Sequence, residues 1–228
     1  MTLGALGILN VVVSMLLLQL AIYYGKASLT AIIVSMNPLF VSLFAYIIIR
    51  EKLSSYQVYS LLMGIAGLLV IILGEKDLLS ADYTNLSLGV SFAILAGITF
   101  ALYTVLTKRA VIRYGNSVTN GASFLIGGII LSIINTLIGK TMMFEPSIQN
   151  ISLILYLGVI VTGIAYLFYF EAMKTLSAAK ASIYFFLKPA LASLLAFAFL
   201  REHLSITQVL GIVLVMLALS RRLWLKRI

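Results

Sequence analysis

Arg50-Glu51-Lys52-Leu53-Ser54-Ser55-Tyr56-Gln57-Val58 and Arg201-Glu202-His203-Leu204-Ser205-Ile206-Thr207-Gln208-Val209 spell one pattern, R-E-x-L-S-x-x-Q-V, at an offset of 151 residues. The likeness extends upstream. Aligned without a gap, residues 21–58 and 172–209 are identical at 13 of 38 positions, among them Pro38 with Pro189, Ser42 with Ser193 and Ala45 with Ala196. Apolar composition would match Leu and Ala by chance, but would not readily align a proline, a glutamate and a glutamine at one offset. The chain therefore repeats itself internally.

Each copy of the pattern closes one apolar run and opens the next. Eight such runs approach or reach the length of about 20 residues that a spanning helix needs: 3–24, 28–49, 56–74, 87–107, 118–139, 151–170, 178–200 and 206–223. They are continuous rather than alternating, which favours helices over a barrel. The whole chain is 62% hydrophobic and 10% charged, with a mean hydropathy of +1.14. A soluble domain carries about 25% charged residues, so lipid is the fitting solvent. The expected fold is all-α, a polytopic membrane helix bundle of eight spans. No Lys or Arg precedes the run that starts at Leu3, and the run is too long for a signal-peptide core, so it reads as a span.

The net charge of +9 falls in short clusters between the runs, which suits membrane topology and argues against nucleic acid as a partner. With Arg221, Arg222, Lys226 and Arg227 placed inside, alternation also puts Arg50, Lys52, Lys108, Arg109, Arg113, Lys174 and Lys180 inside, eleven in all. Lys26, Lys76, Lys140 and Arg201 lie outside, and Lys188 lies within a span. Basic residues favour the cytoplasm, so both termini are expected there. Trp224 reads as an interfacial anchor.

The second half, 87–223, holds five helices, and the first, 1–76, holds three of the corresponding five. The same offset places the other two about 65 residues ahead of Met1. Five is odd, so matched helices run in opposite senses, an inverted repeat of the kind that supports alternating access.

These residues resemble the EamA-type members of the drug/metabolite transporter superfamily. Its repeat carries a Pro-apolar stretch in the fourth helix and ends that helix in Leu-x-Glu-x-Leu. Here the corresponding segments read Asn37-Pro38-Leu39-Phe40 through Arg50-Glu51-Lys52-Leu53-Ser54, and Lys188-Pro189-Ala190-Leu191 through Arg201-Glu202-His203-Leu204-Ser205. The resemblance implies a plasma-membrane carrier of two EamA-like repeats, the first truncated, exporting a small-molecule substrate. It does not identify that substrate; an amino acid or other organic anion is suggested by Lys188 alone. The expected partners are that substrate and the lipid bilayer, with a second copy of the chain as a homodimer candidate.

Lys188 is the sharpest candidate for substrate binding. It lies ten residues into its span, about 15 Å deep at 1.5 Å per residue. A charge there costs roughly 2.5–3.5 kcal/mol, so it should face the bundle interior and an anionic group. Asn37 is its repeat partner, also placed just before a proline. Pro38 and Pro189 are candidate helix kinks, because proline removes a backbone donor and frees a carbonyl. Lys180, Tyr184 and Lys188 recur every fourth residue, which would set all three on one face. Tyr103 with Thr99, and Tyr166 and Tyr169 with Thr162, offer aromatic surfaces and hydroxyls for a ligand, or else simple packing. Ser28, Ser35 and Ser42 form a small-residue stripe suited to helix contact. Glu51 and Glu202 are expected to cap or tether the helix that follows each; Glu171, near Lys174, is expected to form an interfacial ion pair, with binding of a coupling proton as the alternative.

An enzyme is the weaker reading. There is no cysteine, no H-E-x-x-H and no G-x-S-x-G, and the two aspartates, Asp77 and Asp82, share one loop. No metal site or cofactor is expected. A non-transporting truncated fragment or an assembly subunit of such a carrier is the main alternative.

Overall fold

The computed structural model describes residues 3–73, 84–139, 146–201 and 205–224, which are helical throughout apart from short turns. Seven segments are long and apolar enough to cross a bilayer: α1 (Leu3–Ala27), α2 (Leu29–Ile49), α3 (Ser55–Leu73), α4 (Leu86–Tyr114), α5 (Asn116–Leu137), α6 (Ile148–Thr175) and α7 (Ala178–Phe199). The last expected span corresponds to α8 (Ile206–Trp224), whose apolar stretch, Ile206–Leu219, is shorter. Glu202 and His203, and most of the loops expected at 75–86 and 140–150, lie outside the described residues.

Two helices outrun their apolar runs. α4 continues past residue 107 to Tyr114, and α6 past residue 170 to Thr175. Hydropathy drops at a charge, but the backbone ladder does not have to end there. Arg109 donates to the Ile48 carbonyl at 2.7 Å, so its polar end is satisfied without breaking the helix.

The repeated motif explains itself locally. Ser54 precedes α3, and its Oγ accepts from the Gln57 N–H at 3.3 Å, while the Ser54 N–H donates to Gln57 Oε1 at 2.7 Å. Ser205 and Gln208 repeat this before α8, at 3.2 and 2.8 Å. S-x-x-Q is thus a reciprocal capping box that satisfies donors at a helix start. Arg50 and Arg201 also match, with φ of 55° and 57°. Each turns the chain out of one helix before the next cap.

A further match at that offset is a wide helical turn. α1 contains a π segment at Ile8–Ser14 and α6 contains one at Tyr156–Ile164. Such turns are rare and are frequently associated with functional sites.

α4 packs against α1 and α2, α5 lies along the first half of α1, and α3 pairs along α8. One core joins Leu6, Val41, Tyr103 and Phe170; another joins Leu61, Leu68, Phe186 and Val215. The α3–α8 pair is close. A Cβ on Gly211 would fall 2.6 Å from the Gly67 carbonyl oxygen, and one on Gly67 would fall 2.9 Å from the Gly211 carbonyl oxygen. Ser60 Oγ donates to the Ala218 carbonyl at 2.7 Å. At the offset of 151, positions 60 and 218 correspond to 211 and 67. The contact between 60 and 218 therefore returns between 211 and 67, the reciprocity of a twofold contact. Small residues let backbones approach where lipid offers no hydrophobic drive for association.

Candidate functional site

Both proline segments are broken just upstream of the proline. α2 loses regular geometry at Met36, with ψ near 0°, and the Met36 N–H turns to the Ile33 carbonyl at 3.1 Å. α7 tightens into a 3₁₀ turn at Tyr184–Phe186. Pro38 then sits in the first turn of the segment starting at Asn37, and Pro189 in the first turn of the one starting at Leu187. First-turn N–H groups have no intrahelical acceptor, so proline's missing donor costs nothing there. The discontinuity lies before each proline, and Asn37 and Lys188 sit between break and ring.

Asn37 of α2 and Lys188 of α7 line the same cavity of about 150 Å³. Ser14 of α1, Phe100 of α4, Tyr166 of α6 and Phe185 of α7 are among the other residues of its wall. The Lys188 Nζ lies 4.0 Å from the Phe185 ring centroid, a cation–π distance. Among the described residues no carboxylate pairs with it. Asn37 is 1% exposed, and neither its amide oxygen nor its nitrogen has a hydrogen-bond partner among the described residues. An unpaired buried amide costs about 1–3 kcal/mol, so it is poised to bond an added group.

The tyrosines divide. Tyr166 reaches the cavity wall and meets Phe124 edge-on at 5.0 Å. Tyr169 lies behind it, stacked on Phe185 at 5.0 Å, and fully buried Tyr103 packs against Phe170 at 5.8 Å. Among the described residues the Tyr103 and Tyr169 hydroxyls and the side chains of Thr104, Thr107 and Asn10 make no close hydrogen bond, although Tyr103 faces Thr107 and Asn10, and Tyr169 faces Thr104. Tyr184 goes elsewhere: it lines a crevice with Tyr56 and Lys180, away from Lys188. The 3₁₀ turn has three residues per turn, so the four-residue spacing of Lys180, Tyr184 and Lys188 does not keep them on one face. Ser35 closes onto its own helix, donating to the Ala31 carbonyl at 2.7 Å. Buried Ser42 has no side-chain partner among the described residues.

Past the end of α2 lies a polar clasp. Glu51 tethers not the helix that follows it but two others. Its Oε1 accepts from Lys108 Nζ of α4 at 2.5 Å, and its Oε2 from the Ala178 N–H that opens α7 at 2.7 Å. Lys108 also donates to the Leu176 carbonyl at 2.7 Å, and Gln57 Nε2 donates to Ser177 Oγ at 2.6 Å. Glu171 does pair with Lys174, at 2.8 Å. Sequence reasoning passed over Asn10, Ser14, Phe100, Phe185 and Lys108. Asn10 carried a usable signal, a lone amide inside an apolar run. Lys108 looked like one more interfacial charge.

The chain matches the EamA-like transporter family over residues 1–73 and 87–220. It is 35% identical over 211 residues to an uncharacterized transporter of Clostridium kluyveri, covering 92% of this chain and 68% of that protein. A WAT1-related chloroplastic protein of Arabidopsis thaliana is 29% identical over 85% of this chain, which spans 48% of its length. A solved crystal structure superposes with a TM-score of 0.80 at 19% identity, over 98% of this chain and 76% of the other, a likeness of fold. With its all-helical bundle of bilayer-length segments, the chain belongs to the EamA-like transporter family.

Proposed function

We propose that this membrane protein moves a small metabolite, an organic anion or amino acid, outwards across the plasma membrane, with both termini in the cytoplasm. Lys188 binds the anionic group and Asn37 a neighbouring polar atom. One observation carries the reading: two residues matched across the offset of 151, each just before a proline, line one cavity. The reciprocal contact of α3 with α8 supports a division into 1–76 and 87–223 as inverted halves, with the cavity between elements of both. Rocking one half against the other would alternate access. The Glu51–Lys108 clasp joins the end of α2 to α4 and the start of α7, and so would hold the cytoplasmic side closed.

The test is solute flux in proteoliposomes loaded with labelled amino acids and organic anions. Lys188→Ala should abolish anion efflux while the protein still inserts. Unchanged flux of every anion transported by the parent chain would sink the proposal.

A second reading, an assembly subunit that pairs with another copy, would use the outer half of α6, a face that lipid can equally cover. No residue of Ile148–Ile164 is buried. The chain has no native cysteine, so Gly158→Cys gives a clean crosslinking probe; a disulfide-linked dimer in membranes is expected, and only monomer would count against it.

A further inference from the structure

Lys188 belongs to two cavities. Besides the aromatic one it shares with Asn37, it lines a groove of about 440 Å³ between α2, α3 and α7, with Ile32, Leu68, Ile71 and Ala192 on its walls. That volume lies within the range of about 300–1,000 Å³ typical of small-molecule sites. The groove is apolar, and its hydroxyls are spent: Ser35 donates to the Ala31 carbonyl and Ser193 to the Pro189 carbonyl, at 2.7 and 3.0 Å. Among the described residues neither cavity is lined by a second charged residue. The ammonium, held against Phe185, sits at the seam between an aromatic, hydrogen-bonding chamber and an apolar one.

We infer that the solute is an amphiphilic monoanion, with its charged group on Lys188, a hydrogen-bonding atom of its head at Asn37 and an apolar body in the α2–α3–α7 groove. This rests on Lys188 being the substrate cation and narrows the class it takes. One cation neutralises one anionic group. A second anionic group would lose its water and meet no second cation among the described residues, only the Asn37 amide, hydroxyls and apolar walls, a poorly compensated cost. Small hydrophilic anions would leave the groove unused and forgo its apolar burial.

The test is calorimetric titration of the whole chain in phosphatidylcholine nanodiscs with four probes: naphthalenesulfonate, methanesulfonate, a naphthalene disulfonate and naphthalenemethanol. Naphthalenesulfonate should bind more than about tenfold tighter than each of the others. Lys188→Gln should weaken it by about tenfold or more, and Lys188→Arg should retain it. Ala192→Leu, which narrows the groove, should weaken naphthalenesulfonate and leave methanesulfonate unchanged. If methanesulfonate binds as tightly and still depends on Lys188, the amphiphile is overturned and the anion site survives. If Lys188→Gln changes no anion's binding, the site itself falls. An anionic lipid shares the inferred chemistry, so nanodiscs containing phosphatidylglycerol form a further arm. Displacement of the probe there would assign the groove to lipid and overturn the solute.

Discussion

α1 and α6 stand in register at the offset of 151, and both contain a π segment, yet they meet different surroundings. α1 buries Leu6, Asn10, Val12, Ser14 and Ala21. In α6 nothing is buried before Phe170 and Met173. Their matched glycines show the contrast at atomic scale. A Cβ on Gly7 would lie 2.2 Å from the Ser123 carbonyl oxygen, whereas one on Gly158 would meet nothing within 4 Å. A wide helical turn is thus compatible with either environment, and what packs on it is settled elsewhere. In hydrocarbon an apolar face left open carries little penalty, since lipid tails are as apolar as leucine.

The largest expected effect tests that contrast directly. Gly7→Leu would push a branched side chain into the α5 backbone and should destabilise by about 3 kcal/mol or more. Gly158→Leu should change stability by no more than about 0.5 kcal/mol. Thermal unfolding of both variants in detergent decides; equal melting temperatures would remove the contrast.

Next comes the clasp beside α2. The Glu51 and Lys108 side chains are only 18% and 11% exposed. Lys108→Met leaves a mostly buried carboxylate and should cost about 3 kcal/mol. Adding Glu51→Gln should recover part of that loss. The Glu171–Lys174 pair on α6 is 56% and 37% exposed, so Glu171→Gln should register at most about 0.5 kcal/mol by the same melt. Glu171 Oε2 also accepts from the buried Asn116 Nδ2 of α5 at 2.9 Å, a bond the glutamine amide oxygen can keep, so a large effect would mean that this contact or a neighbour on α6 bears load.

The smallest effect sharpens the likeness rather than the difference. Ser54→Ala and Ser205→Ala each remove one capping-box acceptor and should each cost about 1 kcal/mol. Unequal losses would show that the two caps, alike in geometry, bear different loads.

Several elements were legible before any coordinates. The seven bilayer-length segments follow from continuous apolar runs. S-x-x-Q was visible as a repeated string, but its capping role emerged only in the structure, since the cap or tether was expected of Glu51 and Glu202. Lys188 and Asn37 stood out because polar groups inside apolar runs are costly. Tyr184 shows where spacing misleads: a rule of four residues per face presumes an unbroken α-helix, and the 3₁₀ turn at Tyr184–Phe186 breaks it. Lys108 was missed because nothing in its neighbourhood along the chain announces Glu51, 57 residues away.

Apolar length and proline positions are local properties, each set by a few neighbouring residues and the solvent around them, and so could be read from the chain. The convergence of Lys188 and Asn37 on one cavity, and the choice of which glycine lies under a neighbour, required the folded bundle. Such contacts depend on how breaks and packing rotate one helix against another, and a one-dimensional pattern carries no measure of that rotation.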